Sequence, residues 1–472
     1  MSGRPLIVDA DTTLFGRTQT LQAIFAILKD NPLIAIKICA SSLRGSSYFG
    51  DQRWSEAIDL STLPLDERVV SIARAAAERG RPVFFCMSRA SPLSGALAKR
   101  FPFIEGVIAG NSTNPLAGPA RATALAEKFF DGFDYVGRSD IDLPVWRQSR
   151  TAILVDATAT LQRRASVVAS DIEILPAKPW GRALVRALRQ RQWVKNILVF
   201  APIILGGSLN NVAALAATFA AFFAMSLVAS STYLINDMLD ARDDRKHWSK
   251  CNRPVATGEL PLDKALWAAA AGLGSGFAIA ALISQSALAC LCVYVLMTLS
   301  YSLYLKRVPL MDGLVLAALY TLRFALGIAA SGVYTSPWLF VVSMFVFTSL
   351  CFAKRYTELN RIAEVGRLEI HGRGYKREDL PLVLALGIAA GVSAVIVVVF
   401  YILDDAFRRT FHGNPLWLWS FPLLLFVSNC RIWLVTVRGE MSDDPVDFAL
   451  RDRASQLIFA ALLVCFAFAW FG

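Results

Sequence analysis

Hydrophobic positions are distributed unevenly along this chain. Over residues 1–165, short apolar runs near 5–8, 82–87, 104–109, 132–137 and 152–155 alternate with helical patterns. This alternation predicts parallel strands joined by helices, so we expect a doubly wound α/β domain there. Beyond residue 194 the pattern changes to long, almost uninterrupted apolar segments.

These later segments are each about 20 residues long, the length at which a helix crosses a bilayer. We expect about nine spanning helices, near 195–209, 211–235, 262–282, 286–305, 311–331, 336–353, 381–402, 415–436 and 454–471. An all-α polytopic bundle therefore occupies residues 195–472. The linker over 166–194 alternates aromatic or leucine positions with arginines, which predicts a basic amphipathic interfacial helix from Pro179 to Lys195.

Composition supports a membrane protein, because 55% of the residues are hydrophobic. The loops alternate between strongly basic and nearly uncharged ones, and the basic set includes 242–253, 306–307, 354–377 and 431–453. The positive-inside rule places these loops and the N-terminal domain in the cytoplasm. We attribute the net charge of +11 to contact with anionic headgroups or phosphates. The bilayer is therefore an expected partner, and nucleic acid is not.

The most informative stretch follows the segment 211–235. Asn236, Asp240 and Asp244 are spaced by four residues, so a continuing helix places them on one face, with Asp237 beside Asn236. Oxygen ligands in such a row suit Mg²⁺, which proteins often hold with one or two carboxylates plus substrate phosphates. The alternative interpretation is a solvated helix end.

Further polar side chains occur in the basic loops and at the ends of the apolar segments. The candidates for substrate binding are Lys195, Asn196, Lys250, Arg253, Tyr301, Lys306, Asp312, Arg323, Lys354 and Arg355. Acids for metal and bases for phosphate at one end of a bundle suit a substrate with several phosphate groups. Arg323 lies about halfway along a predicted span, where an ionisable residue marks a functional site. Its alternative role is that of a buried partner for Asp312 or another carboxylate.

Residues 180–472 resemble the UbiA superfamily of intramembrane prenyltransferases. The NDxxDxxxD run from Asn236 to Asp244 is similar to the first aspartate-rich motif of that superfamily. The pieces 191–196, 250–254, 301–306 and 353–359, with Asp312 and Arg323, resemble its decaprenyl-phosphate phosphoribosyltransferases. The basic loop after Lys354 lacks the second aspartate motif of the aromatic prenyltransferases.

The resemblance implies a multi-pass enzyme of the bacterial plasma (inner) membrane. It would move 5-phosphoribose from phosphoribosyl pyrophosphate to a polyprenyl phosphate and release pyrophosphate. The implied Mg²⁺ ligands are Asp237, Asp240 and Asp244, helped by Asn236. Lys195 is implied at the lipid phosphate, and Lys306, Arg323, Lys354 and Arg355 at either the lipid or the ribose phosphate.

Two other functions stay open. One is an aromatic prenyltransferase that uses a polyprenyl diphosphate. The other is a non-catalytic transporter or binding protein for an anionic lipid, in which the aspartates are structural. The oligomeric state is also open, with a homo-oligomer among the partners considered.

The N-terminal domain resembles the haloacid dehalogenase (HAD) phosphatases. Its first predicted strand ends in Asp9 and Asp11, as in motif I of that family, and Ser88 follows the second strand at the place of motif II. The resemblance implies that Asp9 is a nucleophile and Asp11 an acid/base, with Mg²⁺ between them and Ser88 on the phosphate.

The later motifs of this domain depart from the family. Arg121 stands at the place of the usual motif III lysine, and in the motif IV region Arg138 replaces the first acid, leaving Asp142 as a candidate metal ligand. Two interpretations therefore remain. The domain is either a phosphatase acting on the 5-phosphate of the transferase product, or a degenerate regulatory or scaffold domain.

Overall fold

The computed structural model describes residues 3–15, 19–30, 65–90, 92–111, 114–206, 208–247, 250–333, 336–364, 374–410, 414–441 and 445–471. The chain divides into two compact units. The first unit comprises Met1–Leu188 and Tyr233–Ala268, and the second comprises Arg189–Thr232 and Ala269–Gly472. The aspartate-rich segment therefore belongs to the same unit as the N-terminal domain.

A six-stranded, all-parallel sheet forms the centre of the first unit, in the order β3-β2-β1-β4-β5-β6. Its strands are β1 (Leu6–Asp9), β2 (Val83–Met87), β3 (Gly106–Ala109), β4 (Asp134–Gly137), β5 (Thr151–Val155) and β6 (Asp171–Leu175). Successive β1 side chains enter different cores, because Leu6 and Val8 pack on one face and Ile7 on the other. Strand order reverses beside β1, where sheets of this type place their sites.

Helices alternate with these strands, as the sequence predicts. They are α1 (Gln19–Asp30), α2 (Glu67–Glu78), α3 (Pro92–Arg100), α4 (Gly118–Lys128), α5 (Leu143–Gln148), α6 (Ala159–Val168) and α7 (Gly181–Ala187). The expected boundary at residue 165 is too early, because β6 pairs with β5 up to Leu175. The single helix expected from Pro179 to Lys195 is also wrong. It ends at Ala187, and Arg189 takes a left-handed conformation with φ of 50°.

The membrane half contains eight helices, among the described residues, that are long and apolar enough to cross a bilayer. These spans are Val212–Lys246, Leu262–Ile283, Gln285–Leu303, Met311–Ser331, Pro337–Arg361, Arg377–Ala406, Leu416–Val437 and Arg453–Trp470. The α-helices of these spans are α9 (Val212–Lys246), α10 (Leu262–Ile283), α11 (Gln285–Leu303), α12 (Met311–Ser331), α13 (Pro337–Glu364), α14 (Leu380–Tyr401), α15 (Ser420–Val437) and α17 (Arg453–Phe471). Two short helices accompany them: α8 (Ala201–Leu205) precedes α9, and α16 (Pro445–Arg451) precedes α17.

The expected ninth helix near 195–209 is not a long α-helix. Residues Gln190–Phe200 form a 3₁₀ helix, which continues into the five-residue α8 at Pro202. A proline has no N–H to donate, so it is tolerated only in the first turn of the helix that follows. Gly327 of α12 allows this segment to pack closely, since a Cβ there would collide with the Val199 carbonyl.

Helix α9 is unusually long, with 35 residues. At about 1.5 Å per residue it measures roughly 52 Å, well beyond the roughly 30 Å of a bilayer core. Its polar last turns, which carry Asn236 to Asp244, therefore have to extend past the hydrocarbon.

Candidate functional site

The acidic end of α9 is a cluster of carboxylates already bound by basic side chains. Asp237 and Asp244 are almost fully buried, with 2% and 5% of their side-chain surface exposed. Nη1 of Arg253, which follows α9 in the chain, lies 3.1 Å from Asp237 Oδ1 and 2.7 Å from Asp244 Oδ2. These two aspartates therefore do not form a solvated helix end.

A second cation reaches the cluster from the N-terminal domain. Lys29 on α1 places its Nζ 2.5 Å from Asp240 Oδ1 and 2.6 Å from Asp243 Oδ2. Burial tends to lower the pKa of Lys29, but its hydrogen bonds to the two aspartates outweigh burial and raise it. The ammonium group therefore stays charged at neutral pH.

The side chains at this helix end have the ligand chemistry of a divalent-metal site, though not its geometry. Asp237, Asp240, Asp243 and Asp244 supply only hard carboxylate oxygens, and each of the four contacts one of the two cations, Lys29 or Arg253. Within the described residues, no three His, Cys, Asp or Glu side chains converge as they stand on a point that would hold a metal. A metal would therefore have to rearrange the cluster, with substrate phosphates as further ligands.

Three substrate or metal candidates lie near these aspartates in sequence: Asn236, Lys250 and Arg253. Asn236 and Lys250 are half-buried, and the backbone N–H of Lys250 donates to His247 Nδ1 at 3.4 Å. Of these candidates, Arg253 forms ion pairs with the aspartates.

A separate charged cluster in the second unit connects α12 with α13. Arg355 Nε lies 2.8 Å from Asp312 Oδ2, and neither side chain is exposed to any extent. Tyr301 donates its hydroxyl to Asp312 Oδ1 at 3.3 Å, and Arg355 also pairs with Glu358. Because Arg355 and Asp312 are enclosed, they are placed to orient their surroundings rather than to reach a substrate. Lys306 and Lys354, their sequence neighbours, are half-buried.

Arg323 belongs to a different polar cluster of the same unit. It lies eleven residues after Asp312 on α12, which is roughly 16 Å along the helix axis. Its Nε donates to Asn196 Oδ1 at 2.8 Å, and its Nη2 donates to the Tyr294 hydroxyl at 3.2 Å. The alternative that Arg323 pairs with Asp312 is therefore wrong, because Arg355 takes that place.

Aromatic rings and a lysine complete the cluster around Arg323. Its guanidinium lies 5.1 Å from the ring centre of Tyr294 and 5.2 Å from that of Tyr320. Lys195 Nζ lies 5.8 Å from the centre of the Tyr320 ring. Asn196 donates to Ser226 on α9 at 2.9 Å. The 3₁₀ segment is thus fixed to its neighbours by polar contacts at the depth of the bundle interior.

The N-terminal candidates meet at the carboxyl edge of the parallel sheet. Asp9 Oδ2 accepts from the backbone N–H groups of Thr12 and Thr13 at 2.8 and 2.9 Å, and from both hydroxyls. Asp11 Oδ2 accepts from Ser88, at 2.6 Å from the N–H and 2.5 Å from the hydroxyl. The turn after β1 is therefore fastened to β2.

Arg121 occupies the middle of these carboxylates. Its Nη1 lies 2.7 Å from Asp9 Oδ1 and 3.8 Å from Asp142 Oδ1, and its Nη2 lies 3.5 Å from Asp11 Oδ2. Only 4% of its side chain is exposed. It also donates to the hydroxyl of Tyr135 at 2.8 Å. A buried guanidinium thus stands where the resemblance implies a magnesium ion.

Asp142 is directed into its own loop. Its Oδ2 accepts three hydrogen bonds at 3.0 Å, from the N–H groups of Arg138 and Ser139 and from the Ser139 hydroxyl. Burial, and then the charge of Asp9, raise the pKa of Asp142 to about 6 and also raise the pKa of Asp11. These side chains do not fit a metal site with Arg121 in place.

Arg138, which stands where the resemblance would place the first motif IV acid, forms ion pairs. Its Nη2 lies 2.9 Å from Asp66 and 3.0 Å from Asp156. Arg68 contacts the same two aspartates at 2.6 and 2.8 Å. In this network two arginines share two aspartates. Apart from Arg138, none of its members belongs to a motif that the sequence analysis identified.

The described architecture defines a multi-pass membrane protein that carries a cation-binding aspartate cluster at the end of one helix. The chain belongs to the UbiA prenyltransferase family, whose model matches residues 197–450. The uncharacterised protein y4nM of Sinorhizobium fredii is 32% identical over 473 residues, covering 98% of this chain and 91% of the relative. Both halves of the chain are therefore joined in that relative as well.

Other relatives match the membrane half. The decaprenyl-phosphate phosphoribosyltransferase of Mycobacterium tuberculosis is 31% identical over 297 residues, which cover 62% of this chain and 95% of that protein. The nodulation protein NoeC of Azorhizobium caulinodans is 27% identical over 292 residues, which cover 60% and 91%. A solved UbiA homologue from Archaeoglobus fulgidus, bound to GPP and Mg²⁺, is similar with 17% identity and a TM-score of 0.48, over 60% of this chain and 99% of that one.

Proposed function

We propose that this protein transfers 5-phosphoribose from phosphoribosyl pyrophosphate to the phosphate of a polyprenyl lipid. The observation that carries this proposal is the buried pair Asp237 and Asp244 at the end of a membrane helix, held by Arg253. Membership of the UbiA prenyltransferase family and the similarity to phosphoribosyltransferases over 62% of the chain support it.

In the proposed reaction a lipid phosphate oxygen forms a bond to the anomeric carbon as the bond to pyrophosphate breaks. A divalent metal held by Asp237, Asp240 and Asp244, with Asn236, would neutralise and orient the leaving group. The nucleophile is already an anion, so the site needs no strong general base. A carboxylate near the ribose would stabilise the positive charge that develops on the sugar.

The basic candidates divide according to their surroundings. Lys306 and Lys354 are half-buried and precede Asp312 and Arg355 in sequence, so we assign them to substrate phosphates. Arg355 is enclosed and positions its neighbours. Arg323 fixes the 3₁₀ segment, in which Lys195 stays the candidate for the lipid phosphate.

The proposed location is a bacterial plasma membrane with the N-terminal domain in the cytoplasm. This topology requires one crossing before α9, because α9 ends in a basic loop. Eleven 3₁₀ residues at about 2.0 Å each, plus five α-helical residues at about 1.5 Å, give roughly 30 Å, one bilayer core. We therefore propose that Gln190–Leu205 is this crossing.

Single cysteines in a cysteine-free background test the topology. In intact cells, an impermeant maleimide should label Gln285→Cys but not Arg307→Cys, which lies at the other end of α11. The reverse labelling would contradict the proposed orientation.

For the N-terminal domain, the position of Arg121 favours the second interpretation, a scaffold or regulatory domain without phosphatase activity. The guanidinium supplies the positive charge among Asp9, Asp11 and Asp142 that a metal would supply in a phosphatase. Asp9→Asn should therefore leave the phosphate content of the lipid product unchanged. A product that loses its 5-phosphate only when Asp9 is present would refute this part.

A choice of donors tests the transferase directly. The purified protein would be offered a polyprenyl phosphate with labelled phosphoribosyl pyrophosphate, or a labelled polyprenyl diphosphate with an aromatic acceptor. Label should enter lipid only from the first donor, with release of pyrophosphate, and Asp240→Asn should abolish it. Transfer from the second donor would establish an aromatic prenyltransferase, and lipid binding without turnover would establish a transporter or binding protein.

A further inference from the structure

Lys29 and the aspartates it contacts lie far apart in sequence. The lysine is on α1 of the N-terminal domain, 211 residues before Asp240 and 214 before Asp243. Gln22, about two turns earlier on the same helix, accepts from Arg245 Nη1 at 3.4 Å. Helix α1 thus contacts the polar end of α9 at two levels.

The contact is too enclosed to be an ordinary surface ion pair. Only 12% of the Lys29 side chain and 15% of the Asp240 side chain are exposed. The ammonium lies between two carboxylates, 2.5 Å from one and 2.6 Å from the other, which is where an oxygen-coordinated cation would gain most from both charges. Exposed pairs of this kind contribute little, whereas enclosed ones are screened much less by solvent and salt.

Lys29 and a divalent ion would need the same carboxylate. Asp240 belongs to the set of aspartates that we assign to metal, whereas Asp243 lies outside that set and is 62% exposed. Asp243 could retain its ion pair with Lys29 when a metal binds Asp240. The structure has the ammonium on both aspartates, and a second state with the ammonium on Asp243 alone would leave Asp240 to a metal.

We propose that Lys29 is a tethered cation that competes with the divalent metal for Asp240, so that the N-terminal domain sets the metal requirement of the transferase site. The inference rests on the proposed assignment of metal to the α9 aspartates. It gives the N-terminal domain a role that needs no phosphatase chemistry.

Metal binding to the full-length protein in nanodiscs tests the competition without any substrate. Mn²⁺ would be titrated and followed by electron paramagnetic resonance, with Asp240→Asn defining the site by loss of binding. Lys29→Met should bind Mn²⁺ about tenfold more tightly, the factor expected if Lys29 covers Asp240 in about nine molecules of ten. Unchanged or weaker binding would overturn the proposal.

Two further variants control for general charge effects. Lys29→Arg retains a cation and should bind Mn²⁺ close to the wild-type affinity. Arg186→Met removes a cation from the same unit whose partner, Glu259, is half exposed, and it should leave Mn²⁺ affinity unchanged. Equal tightening in Arg186→Met would show that overall charge, and not Lys29, controls the affinity.

The wild-type protein offers a second test that does not depend on the fold of a variant. Lys29 should react slowly with an amine-acetylating reagent and faster when Mg²⁺ releases it from Asp240, as mass spectrometry can measure. The exposed Lys178 serves as the internal reference, with no change expected. Lys29 acetylation that is unaffected or reduced by Mg²⁺ would overturn the competition.

These measurements also separate this proposal from the proposed function. Neither uses phosphoribosyl pyrophosphate, so metal competition can hold in a protein that fails the donor assay. Conversely, an active phosphoribosyltransferase whose Mn²⁺ affinity ignores Lys29→Met would retain its function and lose this inference.

Discussion

The pair Asp312 and Arg355 offers the sharpest test of the second unit. The two charges lie 2.8 Å apart with both side chains fully buried. In Asp312→Asn the guanidinium stays enclosed and, among the described residues, keeps its ion pair with Glu358, whose side chain is 26% exposed. Removing one partner of a buried ion pair costs about 3–5 kcal/mol, and the remaining glutamate places this variant at the lower end.

The expected loss is large enough to measure as a melting temperature. In domains of 150–250 residues, about 1 kcal/mol corresponds to roughly 2–4 °C, so about 3 kcal/mol predicts a decrease of roughly 6–12 °C. Unfolding in detergent would be followed with a thiol-reactive dye, for which the buried Cys351 on α13 is a reporter. The double variant Asp312→Asn, Arg355→Met should melt closer to the wild type than Asp312→Asn alone, because the enclosed guanidinium is gone and Glu358, its other partner, is 26% exposed.

An exposed pair provides the matched control. Arg164 Nη1 lies 2.6 Å from Asp140 Oδ1, but their side chains are 57% and 61% exposed. Arg164→Met should therefore change the melting temperature by little, since such pairs contribute less than about 1 kcal/mol. If Asp312→Asn melted at the same temperature as this control, the enclosed ion pair and the positioning role of Arg355 would both be refuted.

Three further outcomes follow from the other clusters. Arg121→Met should destabilise the protein more at pH 8 than at pH 5, because burial raises the pKa of Asp142 to about 6 although Arg121 lowers it, so the cost of losing Arg121 is largest above pH 6, where Asp142 is charged; equal melting losses at both pH values would contradict this. Asn196→Ala removes the acceptor of Arg323 Nε and should cost about 1–3 kcal/mol, seen as a lower melting temperature, whereas an unchanged one would show that the contact is dispensable. Arg253→Met leaves two buried aspartates without this cation, so Mg²⁺ should raise its melting temperature more than that of the wild type; no greater rise would argue against a metal at these aspartates.

The sequence predicts the periodic parts of the fold well. Strands near 82–87, 132–137 and 152–155 appear where the alternation of apolar runs and helices places them. In the described part of the chain, eight of the nine expected spans are present as long helices. The remaining segment could not be assigned from apolar content alone, because its 3₁₀ geometry depends on Pro202 and on polar contacts such as that of Asn196 with Arg323, which form only in the packed bundle.

The site is predictable where it is local in sequence. The spacing of Asn236 to Asp244 correctly indicates that these residues lie on one continuous helix. Lys29 carried no signal, because one lysine on an apolar helix is ordinary until folding brings it to Asp240. The partner of Asp312 likewise depends on which turn of α13 packs against α12, and in the structure that partner is Arg355. Long-range ion pairs depend on packing, which residue spacing does not encode.

The chemistry of the lipid product tests the central claim most directly. The purified protein in nanodiscs would be incubated with a polyprenyl phosphate, Mg²⁺ and phosphoribosyl pyrophosphate, and the lipids would be analysed by mass spectrometry. We expect a lipid heavier by one phosphoribosyl group, absent when Asp240→Asn replaces the wild type. An unmodified lipid with a correctly folded wild-type protein would contradict the account.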